Sequence, residues 1–131
     1  MDDPLIIQAK VMQVATLHND RPWICSVYFV KMDNAFYWLS EPHRKHSQDV
    51  SRDGRVAMAI VGKTDMPVVG LQASGVAEEV SDTAEVEKVM ERYSQKYGVG
   101  KGFHERFTKG INKHRLFRFH PDTVQLFDER A

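Results

Sequence analysis

The chain has 131 residues, 42% of them hydrophobic, which is enough for one domain over residues 1–131 and too little for two ordinary ones. Eighteen Lys and Arg balance eighteen Asp and Glu, so no net charge draws the chain to nucleic acid or to an anionic membrane. Cys25 is the sole cysteine, which excludes an internal disulfide and any multi-cysteine metal site and suits a reducing compartment.

The start, Met1-Asp2-Asp3-Pro4, is acidic where a signal peptide is basic, and the longest uncharged aromatic-aliphatic run, Trp23 to Val30, falls far below a membrane span. The expectation is a cytoplasmic protein with no membrane or nucleic-acid partner. Lys10 to His18 reads as a strand, Asn19-Asp20 as a tight turn, and Trp23 to Met32 as a second strand. Both faces of Trp23 to Val30 are apolar or aromatic apart from Cys25 and Ser26, which predicts a strand covered on two sides in mid-sheet.

Asp33-Asn34 turns the chain into a third strand, Phe36 to Leu39, and Ser40-Glu41-Pro42 supplies a cap and a proline for a helix running to about Arg52. Val56 to Val61 and Val68 to Val80 follow as strands around a polar loop from Gly62 to Pro67, with Gly70 and Gly75 as points of bulge or close approach. The period then changes. Val86, Val89, Met90, Tyr93 and Tyr97 share one face of a helix opened by Ser81 or Asp82 and stopped by Gly98. Phe103, Phe107 and Ile111 suggest a shorter helix, and Leu116 to Phe119 and Thr123 to Phe127 two closing strands separated by Pro121. Six or seven short strands joined by tight turns predict an α+β fold, mainly β: an antiparallel barrel with flanking helices.

For chemistry, the informative stretch runs from Phe36 to His46, where an aromatic strand empties into a helix start bearing Arg44, Lys45, His43 and His46. Free N–H groups and the positive end of the dipole favour an anion there, and Arg44 and Lys45 can add charge-assisted hydrogen bonds to a phosphate. Cys25 among Trp23, Val27 and Phe29 reads as a small buried hydrophobe rather than a nucleophile. His43 and His46 lack a third ligand at characteristic spacing and read as a helix-surface pair, so no metal site is expected. No Ser-His-Asp order or paired-carboxylate pattern is visible, and no catalytic residue is assigned.

The string Arg21 to Phe29, then Asp33-Asn34, Phe36 to Ser40, Arg44-Lys45 and Asp53 to Ala57, resembles the pyridoxamine 5'-phosphate oxidase-like family, the FMN-binding split barrels. The likeness covers Val11 to Val80 closely and is compatible with Phe117 to Asp128 as closing strands. It implies a homodimeric split barrel with FMN at the subunit interface. Position by position, Arg44 and Lys45 match the basic pair that holds the FMN phosphate. Cys25, Ser26 and Val27 match the strand segment lying along the flavin, and Trp38, Leu39 and Ser40 the strand end that borders its ring or ribityl chain. Cys25 stands where the name-giving oxidases carry an additional arginine. Gln72 is placed to face the polar edge of the isoalloxazine from the same or the other subunit.

The resemblance therefore implies an FMN-dependent oxidoreductase using a small-molecule electron donor or acceptor. Without the family enzyme's C-terminal substrate clamp, it is not expected to oxidise pyridoxamine phosphate. The alternative is a non-catalytic protein that binds a flavin, a deazaflavin or haem. The homodimer interface is expected to include the strands Trp23 to Met32 and Val68 to Val80.

Overall fold

The computed structural model describes residues 1–98 and 114–130. A short helix, α1 (Pro4–Gln8), is capped by the Asp3 carboxylate, which accepts from Leu5 N–H at 2.9 Å, and Pro4 sits in the first turn, where a missing N–H costs nothing. β1 (Val11–His18) and β2 (Arg21–Tyr28) form a hairpin across Asn19 and Asp20. Both turn residues take positive φ, 51° and 61°, the backbone that matches the twist of paired strands.

After the single residue Phe29 the chain enters β3 (Val30–Met32), which pairs not with β1 but with β4 (Ala35–Ser40). α2 (Lys45–Arg52), β5 (Arg55–Lys63), β6 (Val69–Glu79), α3 (Thr83–Tyr97) and β7 (Arg115–Asp128) complete the described elements. The sheet is antiparallel throughout, in the order β2-β1-β5-β6-β7-β4-β3. β2 and β3, neighbours in the chain, are thus the two opposite edges of a seven-stranded sheet curled into a split barrel. The chain bridges the split at Phe29 without pairing the edges.

The expected mid-sheet strand from Trp23 is therefore corrected. The run breaks at Phe29, and its first part is an edge whose Trp23, Ile24 and Tyr28 are 46%, 64% and 59% exposed. The strand covered on both faces is β4. Its Phe36 and Trp38 point into the barrel beside Phe117 and Phe119, while Tyr37 packs on the other face with Met32, Val89 and Leu116 beneath α3. Alternating apolar residues of β1, β5 and β6, with Ile6 of α1 and Val50 of α2, fill the rest of the interior.

The two expected closing strands are one. In the β6–β7 ladder Gly75 pairs with Pro121 and Ser74 with Thr123, so Asp122 is an extra residue in a bulge that absorbs a proline unable to donate. Gly75 is required at this point, because a Cβ would stand 2.0 Å from the His120 carbonyl oxygen. α3 starts and stops as its sequence predicts. Asp82 accepts from Glu85 N–H at 3.0 Å, and Gly98 ends the helix in the left-handed region at φ 67°. The helix expected around Phe103, Phe107 and Ile111 lies outside the described residues.

Candidate functional site

The split opens into a cleft of about 470 Å³, lined by Val11, Ser26, Val27, Tyr28, Leu39, Ser40, Glu41, Arg44, His46 and His114. One wall is the edge strand β2, the other the end of β4 and the approach to α2. β2 pairs only with β1, so alternate backbone groups along its other edge stay open to a ligand. The volume lies within the range of small-molecule sites, roughly 300–1,000 Å³.

α2 begins later than expected. Arg44, with extended backbone (ψ 144°), is its N-cap and supplies no side-chain cap, while Arg44 N–H donates to the Glu41 carbonyl at 3.1 Å. The first amides of α2 are thus left to solvent or a ligand at the positive end of the helix. Ser40, instead of capping the helix, ends β4 as a buried residue. Its Oγ accepts from Ser47 Oγ at 2.9 Å and lies 2.7 Å from His46 Nε2. His46 is consequently half-buried, not the surface partner of His43. Burial, and next the charge of Arg44, lower its pKa against an opposing pull from Asp49. His43 stays exposed, with Nδ1 3.2 Å from the Glu41 carboxylate.

Arg44 and Lys45 have different surroundings. The Arg44 guanidinium is exposed beside the cleft and makes no hydrogen bond or ion pair with any described residue. Lys45 donates to Asp49 at 3.0 and 3.3 Å and lies over the Trp23 ring, 5.4 Å from its centroid. Asp49 is buried and also accepts from Thr16 Oγ1 at 2.9 Å, with His18 Nδ1 3.5 Å away. Burial pushes its carboxyl up, but the Lys45 and Thr16 hydrogen bonds outweigh this and hold it below the usual range.

Of the other residues singled out in the sequence, Ser26, Val27, Leu39 and Ser40 line the cleft. Cys25 is half-buried against the barrel core, and burial, with Asp49 second, pushes its thiol up to about 11, so it is un-ionised at neutral pH. Trp38 is fully buried and stacked on Phe117 at 5.8 Å, facing the barrel interior. Gln72 stands on the outer sheet face in a row running Ser26, Gln13, Ala59, Gln72, Gln125. Three strand spacings, about 14 Å, separate it from Ser26, too far for both to grip one ligand atom within a chain.

Val11, Tyr28, Glu41, His46 and His114 line the cleft without having been singled out as cofactor contacts. Period-two alternation from Ser26 and from Gln13 leads to Tyr28 and Val11. His46 joins the cleft through a contact between strand and helix that no spacing rule reveals.

Together these features define a split barrel with an anion-ready cleft at its seam. The chain belongs to the pyridoxamine 5'-phosphate oxidase family, whose model matches residues 3–128. No curated protein matches the sequence. Among solved structures, the fold is shared with a protein of unknown function from Agrobacterium tumefaciens (19% identity, TM-score 0.74), where the match covers 94% of this chain but only 53% of the other. It is also shared with HutZ, the haem storage protein of Vibrio cholerae (19% identity, TM-score 0.73, covering 95% and 89%). A further match is an FAD-binding protein of Mesorhizobium loti (16% identity, TM-score 0.68, covering 93% and 88%). Among the described residues no helix is long and apolar enough to cross a membrane.

The residues present fit the phosphate end of a flavin nucleotide. A guanidinium without a counter-charge among the described residues, the open amides of α2 and the Ser26 hydroxyl meet at one cleft, a donor set suited to an anion.

Proposed function

We propose that the chain is an FMN-dependent oxidoreductase whose single domain works as a homodimer. The observation that carries this reading is the Arg44 guanidinium, unpaired among the described residues, at the start of α2, set in the cleft of a pyridoxamine 5'-phosphate oxidase fold. When bound, FMN supplies hydride and electron transfer. Arg44 and the first amides of α2 hold the phosphate, with Lys45 adding charge from its place above Trp23. Ser26, Val27 and the open edge of β2 lie along the ligand, and Leu39 and Ser40 close the other wall. Cys25 and Trp38 act from behind this surface, backing the strands that carry these residues. A small electron donor or acceptor enters from the solvent side.

The outer sheet face supports the homodimer. Ile24, Tyr28, Val61, Val76 and Phe127 are each about half exposed or more, around a floor of Ala57, Ala59 and Ser74. A second copy laid on this face removes that apolar area from water and brings its own Gln72 towards the cleft. Light scattering is expected to find a dimer at micromolar concentration, and Ile24→Asp to yield monomers. A wild-type protein that stays monomeric with and without FMN rejects the assembly.

A second reading is favoured by His46 and His114 lining the same cleft: binding of haem, with an imidazole towards the iron. The absorbance spectrum of the purified protein separates the two. A flavin spectrum whose chromophore is released on denaturation supports the first, and a Soret band supports the second. Nicotinamide and deazaflavin donors offered anaerobically to the FMN-loaded protein then test oxidoreduction. A flavin that stays oxidised with every donor leaves a binding protein.

A further inference from the structure

We propose that His46, oriented by Ser40 and Ser47, is a phosphate-binding residue of the cleft that takes up a proton as the phosphate binds. The inference rests on the phosphate reading of the cleft and adds a residue and a regulation to it. The geometry carries it. Ser47 Oγ–H donates to Ser40 Oγ at 2.9 Å, and of the two acceptors within reach of the Ser40 proton, His46 Nε2 at 2.7 Å and the Glu41 carbonyl at 3.5 Å, the much nearer Nε2 takes it. Ser40 and Ser47 are both buried, so this chain is shielded from water. A Nε2 that accepts fixes the neutral imidazole with its proton on Nδ1. Nδ1 has no partner among the described residues, and the ring lines the cleft two residues beyond Arg44. The hydroxyl chain thus presents a neutral donor beside an unpaired guanidinium.

The same chain tolerates a charged ring. When His46 is protonated, Nε2–H donates to Ser40 Oγ, which still accepts from Ser47, and the Ser40 proton turns to the Glu41 carbonyl, 3.5 Å away. No donor or acceptor of the Ser47–Ser40–Nε2 chain is orphaned in either state, and Nδ1–H faces a ligand in both. The titratable and charged groups around the ring are Arg44, Glu41 and His43 from the approach to α2, Lys45 and Asp49 from α2 itself, Tyr28 from β2 and His114 ahead of β7. Burial first, and Arg44 next, favour the neutral ring, while Asp49 favours the charge. Glu41 and His43 face each other at 3.2 Å, and Lys45 is spent on Asp49.

A phosphate dianion at Arg44 cancels the opposing cation and adds an attracting charge, which moves a neighbouring pKa up by roughly 1–3 units. By linkage, a ligand that raises the protein's proton affinity binds more tightly as the proton concentration rises. Affinity for a phosphate monoester such as FMN therefore strengthens as pH falls from 8 towards 6.5, above the second ionisation of the ester near pH 6.

The test uses the full-length protein. Histidine ring ¹⁵N resonances are followed against pH without ligand, with inorganic phosphate and with FMN, His46 being assigned through the His46→Asn variant. FMN affinity is measured by fluorescence quenching between pH 6.5 and 8. Phosphate and FMN are each expected to raise the His46 midpoint by about one unit or more, and FMN to bind three- to tenfold more tightly at the lower pH. His46→Asn, which keeps a donor near the Nδ1 position but cannot titrate, is expected to bind FMN with a flat pH profile. In Ser40→Ala the ring ¹⁵N shifts are expected to report a mixture of tautomers, because Nε2 has lost its donor.

A His46 midpoint unmoved by bound FMN, or the same pH profile in His46→Asn, overturns the proposal while leaving the flavin reading intact. A midpoint moved by inorganic phosphate in a protein that does not bind FMN does the reverse. Binding of neither probe rejects both. Should the Asn variant fail to fold, His46→Gln assigns the resonance in its place, and the wild-type midpoint with and without FMN decides.

Discussion

Two arginines beside strand β4 show how the same side chain serves opposite ends. Arg118, on β7, donates to both oxygens of Glu85 at 2.6 and 2.7 Å and is ion-paired with Glu78, while Tyr37 Oη donates to Glu85 at 2.7 Å. That cluster is closed, and it fastens the start of α3 to the sheet. The Arg44 guanidinium, across β4, has neither a carboxylate nor a carbonyl among the described residues. An arginine whose two terminal amines the fold gives to carboxylates builds structure, whereas one left without them at a helix start keeps its charge for a ligand.

The contrast is broken most forcefully at Arg118. Arg118→Ala leaves a largely buried Glu85 without its cation and is expected to cost about 3 kcal/mol of stability, in keeping with broken buried pairs, read by urea unfolding. Arg44→Ala is expected to leave stability unchanged within about 0.5 kcal/mol, as at ordinary surface sites. A comparable loss from both variants would erase the distinction.

On ligand binding the order reverses. Charge-assisted hydrogen bonds contribute roughly 1.5–3 kcal/mol, so Arg44→Ala is expected to weaken FMN binding by about tenfold to a hundredfold in a fluorescence titration. Arg118→Ala, in protein still folded, should leave it within a few-fold. Unchanged affinity in the Arg44→Ala, Lys45→Ala double variant would discard the phosphate site.

Acid sharpens the comparison further. Burial pushes the Glu85 carboxyl up, yet the hydrogen bonds of Arg118 and Tyr37 outweigh it and hold the pKa below the usual range, as Lys45 and Thr16 do for Asp49. Carboxyls depressed in the folded state contribute stability that is present above their unfolded values, near 4, and is lost as pH falls through the folded ones. Unfolding free energy is therefore expected to decline below about pH 4.5, with a shallower slope in Glu85→Gln and no change in slope in Arg44→Ala.

The smallest effect on ligand binding belongs to Lys45, whose side chain is 44% exposed and already shared with Asp49. Lys45→Ala leaves the buried Asp49 carboxylate to Thr16 and is expected to cost about 1–3 kcal/mol of stability, and to weaken FMN binding less than Arg44→Ala does. A larger loss of affinity would show that Lys45 leaves Asp49 for the phosphate.

Local chemistry was legible residue by residue. Asn19-Asp20 reads as the tight turn it is, Asp82 and Gly98 as the caps of α3, and Gly75 as a close approach, because each signal acts over a few bonds. Asp3-Pro4 carried the same kind of signal for α1 and was passed over. The errors lie where the partner is distant. Trp23 to Val30 is apolar on both faces in a mid-sheet strand and in an exposed edge alike, and only the Phe29 break separates them. There the backbone N–H donates to Tyr97 Oη at 3.0 Å, 68 residues away, and to the Lys10 carbonyl at 3.3 Å.

Composition, period and capping chemistry in the sequence thus determined a mainly β antiparallel barrel with a late amphipathic helix and a cationic segment after an aromatic strand. Tertiary structure decided which cation stays free. Lys45 lies one residue from Arg44, but helical geometry turns it onto Asp49 one turn ahead, and Asp49 is buried only because β1 brings Thr16 against it. The same folding placed Ser40 and His46 within 2.7 Å across a strand end and a helix start. Such contacts depend on how separate elements pack, and hydrophobic period and local propensity do not encode that.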